Sequence, residues 1–109
     1  MHELAIAENV VETVTERLPG ATVTCVHLEI GALSGVVPDS IRFCFDLATE
    51  GTGLAGARLE ITEPPARCRC RACDAEFQPD SPVVLCPCGS PDVAVLAGEE
   101  LKIVSVQVA

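Results

Sequence analysis

Two closely spaced cysteine pairs are the residues of this sequence with the clearest chemistry. Cys70 and Cys73 form a C-x-x-C pair, and Cys86 and Cys88 form a C-x-C pair further along the chain. A C-x-x-C turn offers two sulfurs to one metal ion, and a second pair completes the tetrahedral coordination that zinc prefers. Four thiolates leave no open position for a substrate. We therefore predict one structural Zn²⁺ ion held by Cys70, Cys73, Cys86 and Cys88.

The first ligand has an alternative, because the segment CRCRAC also contains Cys68. Either Cys68 or Cys70 could join Cys73 in a chelating pair, and we prefer Cys70 because C-x-x-C is the commoner chelating spacing. The second pair lacks one intervening residue, so its turn must be tighter than in an ordinary zinc ribbon. The chain has seven cysteines, an odd number that fits a metal site in a reducing compartment better than a complete set of disulfides.

Three arginines alternate with the first cysteines, namely Arg67, Arg69 and Arg71. A zinc centre with four thiolates carries two net negative charges. We therefore interpret these arginines as local charge compensation that also lowers the thiolate pKa values. A nucleic-acid patch is the alternative, but no aromatic residue lies among the arginines, and the net charge of −9 repels phosphate backbones. We expect no nucleic-acid partner.

An amphipathic helix is predicted from Leu4 to Leu18, ending before Pro19 and Gly20. Its apolar stripe consists of residues spaced by three and four positions, namely Leu4, Ala7, Val11, Val14 and Leu18. The other side of the helix carries a glutamate at every fourth position, namely Glu8, Glu12 and Glu16. We interpret this acidic side as a solvated face.

A second helix is predicted from Pro38 to about Thr49, since proline is favoured in the first turn of a helix. The residues that share its apolar face are Ile41, Cys44, Phe45 and Ala48. This placement makes Cys44 an ordinary core residue.

Three segments have the composition and alternation that are typical of β-strands, namely residues 21–31, 58–63 and 100–108. In the first of them, Val26, Leu28 and Ile30 would share a buried face. Cys25 and His27 would then lie on the opposite face, where a helix could cover them, and we interpret both as structural residues.

The composition changes from Pro64 to about Gly98, where cysteine, proline and arginine replace periodic apolar positions. This stretch cannot build its own core and needs a cross-link to fold. We predict an α+β fold in which residues 1–63 and 99–109 form a small sheet with two helices. Residues 64–98 would be an inserted zinc-ribbon-like domain, and the last strand would return to the first sheet.

Membrane proteins and enzymes are disfavoured by the sequence. No apolar run approaches the ~18 residues of a membrane span, and the N-terminus lacks a basic region followed by an apolar stretch. We therefore expect a cytoplasmic protein without a membrane partner. No Ser/His/acid arrangement, glycine-rich phosphate loop or catalytic carboxylate pair can be read from the chain. We predict that it is not an enzyme.

Several segments together resemble a known family. The chain begins Met1-His2-Glu3-Leu4, continues through LEIGALSGVVPDSIRFCFD, GARLEI and CRAC, and closes with CPCGS followed by GEELKIVSVQV. In this order, and over nearly the whole chain, these segments resemble the HypA/HybF family of hydrogenase maturation nickel chaperones. One departure is the second cysteine pair, which is usually C-x-x-C in that family and is C-x-C here.

The resemblance implies a nickel-binding domain joined to a zinc domain, with Ni²⁺ as cargo and His2 as its ligand. In Met1-His2 the free α-amine, the His2 amide nitrogen and the imidazole can close adjacent chelate rings, which present the in-plane nitrogens that Ni(II) favours. The resemblance adds Glu3, through its backbone, and Asp39 is a candidate oxygen ligand. From the residues alone, Asp39 would instead stabilise the start of a helix, and His2 would be a polar residue before one.

The resemblance also implies partners, namely a HypB-type GTPase and the large-subunit precursor of nickel-iron hydrogenase. A homodimer is a further candidate assembly. Two other functions stay open at the level of the sequence. One is a zinc-ribbon module that binds another protein without delivering nickel. The other is a rubredoxin-like electron carrier, because iron also accepts four cysteines.

Overall fold

The structure, a computed structural model, describes residues 2–79, 81 and 83–109. It contains two helices and six strands in the order α1 (Glu3–Arg17), β1 (Val23–Ile30), α2 (Pro38–Ala48), β2 (Arg58–Thr62), β3 (Arg67–Cys70), β4 (Glu76–Phe77), β5 (Val93–Ala97) and β6 (Leu101–Val108). The two helices and small sheets confirm the predicted α+β fold. Both helices begin and end within one residue of their predicted limits.

The first sheet has the strand order β2-β1-β6, so β1 lies at its centre. β1 is parallel to β2 and antiparallel to β6. A parallel pair needs a crossover connection, which α2 provides between β1 and β2. β6 pairs with β1 as expected for the last strand, although the three strands between β2 and β6 in the chain form another sheet.

The core lies between the first sheet and the two helices. Val26, Leu28 and Ile30 of β1 are at most 2% exposed and pack with residues of both helices. α1 contributes Ala7, Val10, Val11 and Val14, and α2 contributes Ile41 and Phe45. Phe45 is the one buried phenylalanine of three, so aliphatic side chains form nearly all of this core.

Three predictions about burial are wrong at the margins of this core. Leu4 and Leu18, at the two ends of the predicted α1 stripe, are 44% and 37% exposed. Cys44 is only half-buried and faces a cleft. Helical periodicity identifies residues that share a face, but the length of the neighbouring element decides how much of that face is covered.

The face of β1 opposite the helices carries Cys25 and His27. Cys25 is buried, and His27 is half-buried with its Nε2 atom 3.1 Å from Thr62 Oγ1. The expectation that a helix could cover this face is wrong, because α1 and α2 both pack on the Val26 side. The structural interpretation of His27 agrees with its contact to the neighbouring strand.

The second sheet is small and has the strand order β4-β3-β5, with antiparallel pairing on both sides of β3. Along β3 the cysteines Cys68 and Cys70 are buried, whereas Arg67 and Arg69 are exposed. This alternation follows from the two-residue period of a strand. Every residue that pairs in this sheet lies between Arg67 and Ala97.

Three backbone hydrogen bonds connect the loop after β1 to the segments that join the two sheets. Gly31 N–H donates to Glu100 O (2.7 Å), Ala32 N–H to Pro64 O (3.1 Å) and Leu33 N–H to Gly98 O (2.6 Å). The backbone approach is so close that a Cβ atom at Gly31 would overlap the carbonyl of Gly98. The division into domains of residues 1–63 with 99–109 and of residues 64–98 stays a prediction.

We predict that Gly31→Ala lowers the free energy of unfolding by about 3 kcal/mol, at the upper end of the usual cost of overpacking, because backbone atoms cannot move aside as side chains do. Urea unfolding followed by circular dichroism measures this change. Gly20→Ala is the matched control, since Gly20 has a φ of +78° but nothing lies within 4 Å of an added Cβ. The control should lose only about 1 kcal/mol. Equal losses in both variants would contradict the close approach.

Candidate metal-binding sites

The structure brings the four predicted zinc ligands together. The sulfur atoms of Cys70, Cys73, Cys86 and Cys88 all lie within 4.8 Å of one another, and this is the one such group of His, Cys, Asp and Glu ligands among the described residues. Cys70 and Cys86 are buried, whereas Cys73 and Cys88 are exposed. The group therefore lies at the surface of the second sheet with one cysteine of each pair turned outward.

The first cysteine pair lies at the end of β3, where the chain turns back towards β4. Cys70 N–H donates to Ala75 O (2.9 Å) and Asp74 N–H donates to Cys70 O (2.8 Å), which closes a tight turn. Asp74 has a φ of +65°, a left-handed conformation that Asp tolerates better than most residues. Within this turn the Cys73 N–H points at the Cys70 sulfur, at 3.4 Å.

The second cysteine pair forms a similar turn with one residue fewer between its cysteines. Gly89 N–H donates to Cys86 O (2.8 Å) and Cys86 N–H donates to Ser90 O (3.0 Å). Gly89 has a φ of +94°, which glycine adopts without a steric penalty. The Cys88 N–H is 3.4 Å from the Cys86 sulfur. The C-x-C spacing thus still gives a closed turn with both sulfurs on the same side.

The distances between sulfurs fit a tetrahedral zinc ion. Sulfurs bound at ~2.3 Å from the metal lie about 3.8 Å apart at the corners of a tetrahedron. The Sγ atoms of Cys70 and Cys88 are 3.7 Å apart, and those of Cys73 and Cys86 are 3.5 Å apart. A disulfide requires about 2.0 Å, so these are not bonded pairs. The spacing of the sulfurs is therefore compatible with one metal ion, which the four cysteines would bind.

Cys68 is not part of this group. It is fully buried in β3, two residues before Cys70 and on the same face of the strand. Its backbone pairs with Phe77 on one side and Val95 on the other, so the strand ladder holds it away from the turn. The geometry favours Cys70 over Cys68 as the partner of Cys73, and the ligand assignment itself stays a prediction.

The predicted nickel ligands lie at the other sheet, where α1 and α2 begin. His2 is the exposed residue before α1, and Asp39 is in the first turn of α2. His2, Glu3 and Asp39 line one open cleft with a volume of about 760 Å³. Met1 lies outside the described residues. Among those described, the side chains in this cleft do not converge as closely as the four sulfurs do.

Two further residues with ligand chemistry line the same cleft, namely Glu8 and Cys44. The sequence pattern predicts Glu8 on a solvated face and Cys44 in the core. Glu8 is one turn beyond Leu4 on α1, and Cys44 is one turn beyond Ser40 on α2. Leu4 and Ser40 directly follow the predicted ligands Glu3 and Asp39 and also line the cleft, so helical spacing from these two neighbours places Glu8 and Cys44 at the cleft.

Known proteins are similar to this chain over almost its whole length. A family model described as "Hydrogenase/urease nickel incorporation, metallochaperone, hypA" matches residues 1–108. A protein of Nostoc punctiforme named "Hydrogenase maturation factor HypA" is 51% identical over 108 residues, which cover 99% of this chain and 96% of the relative. A protein of the same name from Geotalea uraniireducens is 50% identical over 109 residues, with 99% of each chain covered.

The chain belongs to the HypA family. The family is one of nickel-incorporation metallochaperones, which confirms the prediction that the protein is not an enzyme. This membership favours nickel incorporation over the electron-carrier and pure interaction-module alternatives. In the part of the chain that the structure describes, no helix has both the length and the apolar character needed to span a membrane.

The fold also agrees with a solved structure of the HypA family. The solution structure of the Ni metallochaperone HypA from Helicobacter pylori superposes with a TM-score of 0.66 and 20% sequence identity. The superposition covers 99% of this chain and 97% of that chain. At 20% sequence identity this likeness shows a shared fold and nothing more.

The thiols of this HypA-family cluster differ strongly in acidity. The hydrogen bond from the Cys73 N–H is the largest contribution that lowers the pKa of Cys70, to about 6. The Cys88 N–H also lowers the pKa of Cys86, but burial and the neighbouring thiols outweigh it and raise the pKa of Cys86 to about 12. One sulfur of the metal-free cluster is thus a ready thiolate, and another holds its proton firmly.

The three arginines of β3 and the following turn bind carboxylates and not sulfurs. Their ion pairs join Arg67 Nη2 to Glu76 Oε1 (2.7 Å), Arg69 Nε to Asp74 Oδ1 (3.2 Å) and Arg71 Nη1 to Asp92 Oδ1 (2.9 Å). The interpretation that the arginines lower the thiolate pKa values is wrong, because backbone N–H groups do so at Cys70. As exposed pairs, these bridges contribute about 0 to 1 kcal/mol each.

We predict that Cys73→Ser loses the bound zinc whereas Cys68→Ala retains one zinc per chain, because Cys73 belongs to the sulfur cluster and Cys68 does not. Cys68→Ala should lower stability by roughly 1 to 2 kcal/mol through loss of a buried side chain. Elemental analysis of the purified variants measures the stoichiometry. Loss of zinc from Cys68→Ala together with its retention in Cys70→Ala would reverse the assignment.

We also predict that zinc affinity falls as the pH falls. The bound form carries no thiol protons, so protons compete with the metal and a low pH favours the metal-free form. Cys86 contributes this competition throughout the neutral range, because its pKa is raised to about 12. Cys70 adds to it only below pH 6, because its pKa is lowered to about 6.

The logarithm of the zinc affinity should therefore fall more steeply with pH below about 6 than above it. Competition with a chromophoric chelator, from pH 5 to pH 8, measures this dependence. The same series on Cys68→Ala is the control and should have the same shape. An affinity that does not change over this range would contradict coordination by thiolates.

Proposed function

We propose that this HypA-family protein binds Ni(II) at its N-terminus and helps to insert nickel into the large subunit of nickel-iron hydrogenase during maturation. The supporting observation is that His2, Glu3 and Asp39, which belong to different helices, line one cleft. Family membership supplies nickel incorporation as the general activity. The N-terminal site specifies where the cargo is held.

His2 has the backbone position that such a site requires. Its carbonyl accepts a hydrogen bond from Ile6 N–H at 3.1 Å, so it is the last residue before the helical ladder begins. The first N–H groups of a helix have no acceptor within the helix, which leaves the His2 and Glu3 amides outside that ladder. With Met1 as the first residue, its α-amine, the His2 amide and the imidazole would surround the ion with nitrogens in one plane.

Asp39 would provide an additional oxygen ligand from α2. It is exposed in the first turn of that helix, on the wall of the cleft opposite His2 and Glu3. A carboxylate in the first turn also interacts favourably with the helix dipole. The two roles are compatible, because a carboxylate has two oxygens.

The zinc site is proposed to be structural. The four sulfurs lie within 4.8 Å of one another, and four thiolates would complete a tetrahedral zinc site with no position for a substrate. The sheet that carries it has strands of only two to five residues, so it gains little from apolar burial. We therefore assign residues 64–98 as the zinc domain and residues 1–63 with 99–109 as the nickel-binding domain.

Two partners follow from this assignment. A HypB-type GTPase and the precursor of the hydrogenase large subunit are the proposed partners in nickel transfer. The proposal rests on the family's role in nickel incorporation and on the open cleft, from which an ion could pass to another protein. A homodimer is a further proposed assembly.

We predict that His2→Ala weakens Ni(II) binding by at least about tenfold, about 1.4 kcal/mol, because it removes the imidazole nitrogen. Adding one residue before Met1 should weaken binding similarly, because it moves the α-amine out of the chelate. Isothermal titration calorimetry of untagged protein with a free Met1 amine measures both changes. The matched control for His2→Ala is His27→Ala, which removes the chain's other histidine. His27 Nε2 lies 3.1 Å from Thr62 Oγ1.

The control should bind nickel as the unaltered chain does. Equal affinities for all four proteins would place the nickel site elsewhere. A loss with His27→Ala alone would contradict the structural interpretation of that residue.

A further inference from the structure

A groove runs along the seam between α1 and α2. One part of it is the cleft beside His2 and Asp39, and the other part has a volume of about 320 Å³ between the later turns of α1 and Ala48 of α2. Glu8 lines both parts, so they are adjacent along α1, and we treat them as one groove. The groove thus extends from the start of both helices to the end of α2.

Apolar side chains are exposed on both helices that border this groove. Phe43 and Leu47 are one turn apart on α2 and are 66% and 47% exposed, and Leu4 on α1 is 44% exposed. Phe43 and Leu4 line the same cleft. A chain with only three aromatic residues therefore presents one of them to solvent. A cluster of exposed apolar residues beside a groove is typical of an interaction site.

Acidic side chains border the same groove on α1. Glu8, Glu12 and Glu16 recur at every fourth position, are exposed and line it. Like charges at this spacing destabilise a helix, so the three glutamates reduce the stability of α1. Asp46 and Glu50 add exposed negative charge near the end of α2. The groove is therefore bordered by exposed apolar residues of both helices and by the negative charges of α1.

We propose that this groove binds a helix of a partner protein with an apolar stripe flanked by Lys or Arg. The apolar residues, spaced by three and four positions, pack against Leu4, Phe43 and Leu47. The basic residues pair with the glutamates of α1. Amphipathic helices commonly bind in grooves in this way, and opposite charges accelerate the encounter and set the orientation.

A second copy of this chain does not fit the groove. The net charge of −9 makes two copies repel each other. Each helix of this chain carries a single basic residue, Arg17 in α1 and Arg42 in α2. Neither helix can therefore offer the row of basic residues that the glutamates require.

The groove opens at one end on His2 and Asp39. A helix docked along it would lie beside the proposed nickel ligands, so docking and nickel transfer would occur on one surface. This link rests on the proposed function, whereas the docking itself depends only on the exposed apolar and acidic residues of the two helices.

The test uses a synthetic 18-residue peptide with a helical stripe of leucines flanked by lysines. A peptide of the same composition in scrambled order is the control for charge alone. Fluorescence anisotropy measures binding to the full chain, and ¹⁵N NMR spectra of the labelled chain locate it. The amides of Leu4, Glu8, Phe43 and Leu47 should shift, and the scrambled peptide should bind at least tenfold more weakly.

Paired variants separate the two parts of the surface. Phe43→Ser with Leu47→Ser, and Glu12→Gln with Glu16→Gln, should each weaken peptide binding at least tenfold. The matched controls are Leu96→Ser, at a residue of β5 that is 49% exposed, and Glu63→Gln with Glu99→Gln, at exposed residues outside the groove. The controls should change binding by less than twofold. Circular dichroism verifies that every variant is folded.

Several results would overturn the proposal, namely no binding, equal binding of the scrambled peptide, or NMR shifts confined to other surfaces. Self-association that Phe43→Ser with Leu47→Ser abolishes, measured by light scattering, would instead assign the groove to a second copy. Nickel titration of the unaltered chain and of the Phe43→Ser with Leu47→Ser variant separates the docking proposal from the proposed nickel site. Peptide binding without nickel binding at His2 would support the docking groove and contradict the proposed nickel site. Nickel binding without peptide binding would support the nickel site and contradict the docking groove.

Discussion

Burial of one face of β1 beneath both helices is the interaction on which the rest of the structure depends. Val26, Leu28 and Ile30 are almost completely excluded from solvent, and α1 and α2 pack on them and on each other. Because the two helices share this surface, their first turns come together and His2 and Asp39 line one cleft. The same packing leaves the seam between the helices open. The proposed nickel site and the proposed docking groove are thus consequences of one core.

For the second sheet we propose a different stabilising interaction, namely metal binding. Its strands are short, and the inward residues of β3 are the cysteines Cys68 and Cys70, so apolar burial alone contributes little. Zinc binding to four thiolates is worth about 10 to 16 kcal/mol in small zinc domains, which exceeds what such a sheet could gain otherwise. Gly31 and Gly98 allow the loop after β1 to approach the segments that join the two sheets. In our proposal, a sheet that zinc would stabilise is thereby connected to a sheet held by its own core.

The sequence predicted the parts of this structure that depend on neighbouring residues. Both helices, the first strand and the two cysteine turns follow from periodicity and from spacings of two or three residues, and the structure places them as expected. The predictions that failed concern what covers a surface. Leu4 and Leu18 have the right spacing for a buried stripe, yet they lie beyond the extent of the packed surface. The arginines beside the cysteines pair with carboxylates that the turns bring near, and sequence proximity to sulfur does not reveal this.

The features that could be read from the sequence alone are two amphipathic helices, a change of composition at Pro64, two chelating cysteine pairs and a resemblance over nearly the whole chain to one family. Tertiary structure decided which groups meet. It selected Cys70 rather than Cys68 for the sulfur cluster, placed α1 against α2 so that Cys44 lines one cleft with His2, and joined the glutamates of α1 and the exposed Phe43 of α2 in one groove. This difference arises because the interactions that the sequence reveals act only between residues that are close together in the chain. Backbone hydrogen bonding and side-chain periodicity act over a few residues, whereas the glutamates of α1 and Phe43 of α2 are brought together by apolar packing between helices that are separated in the chain.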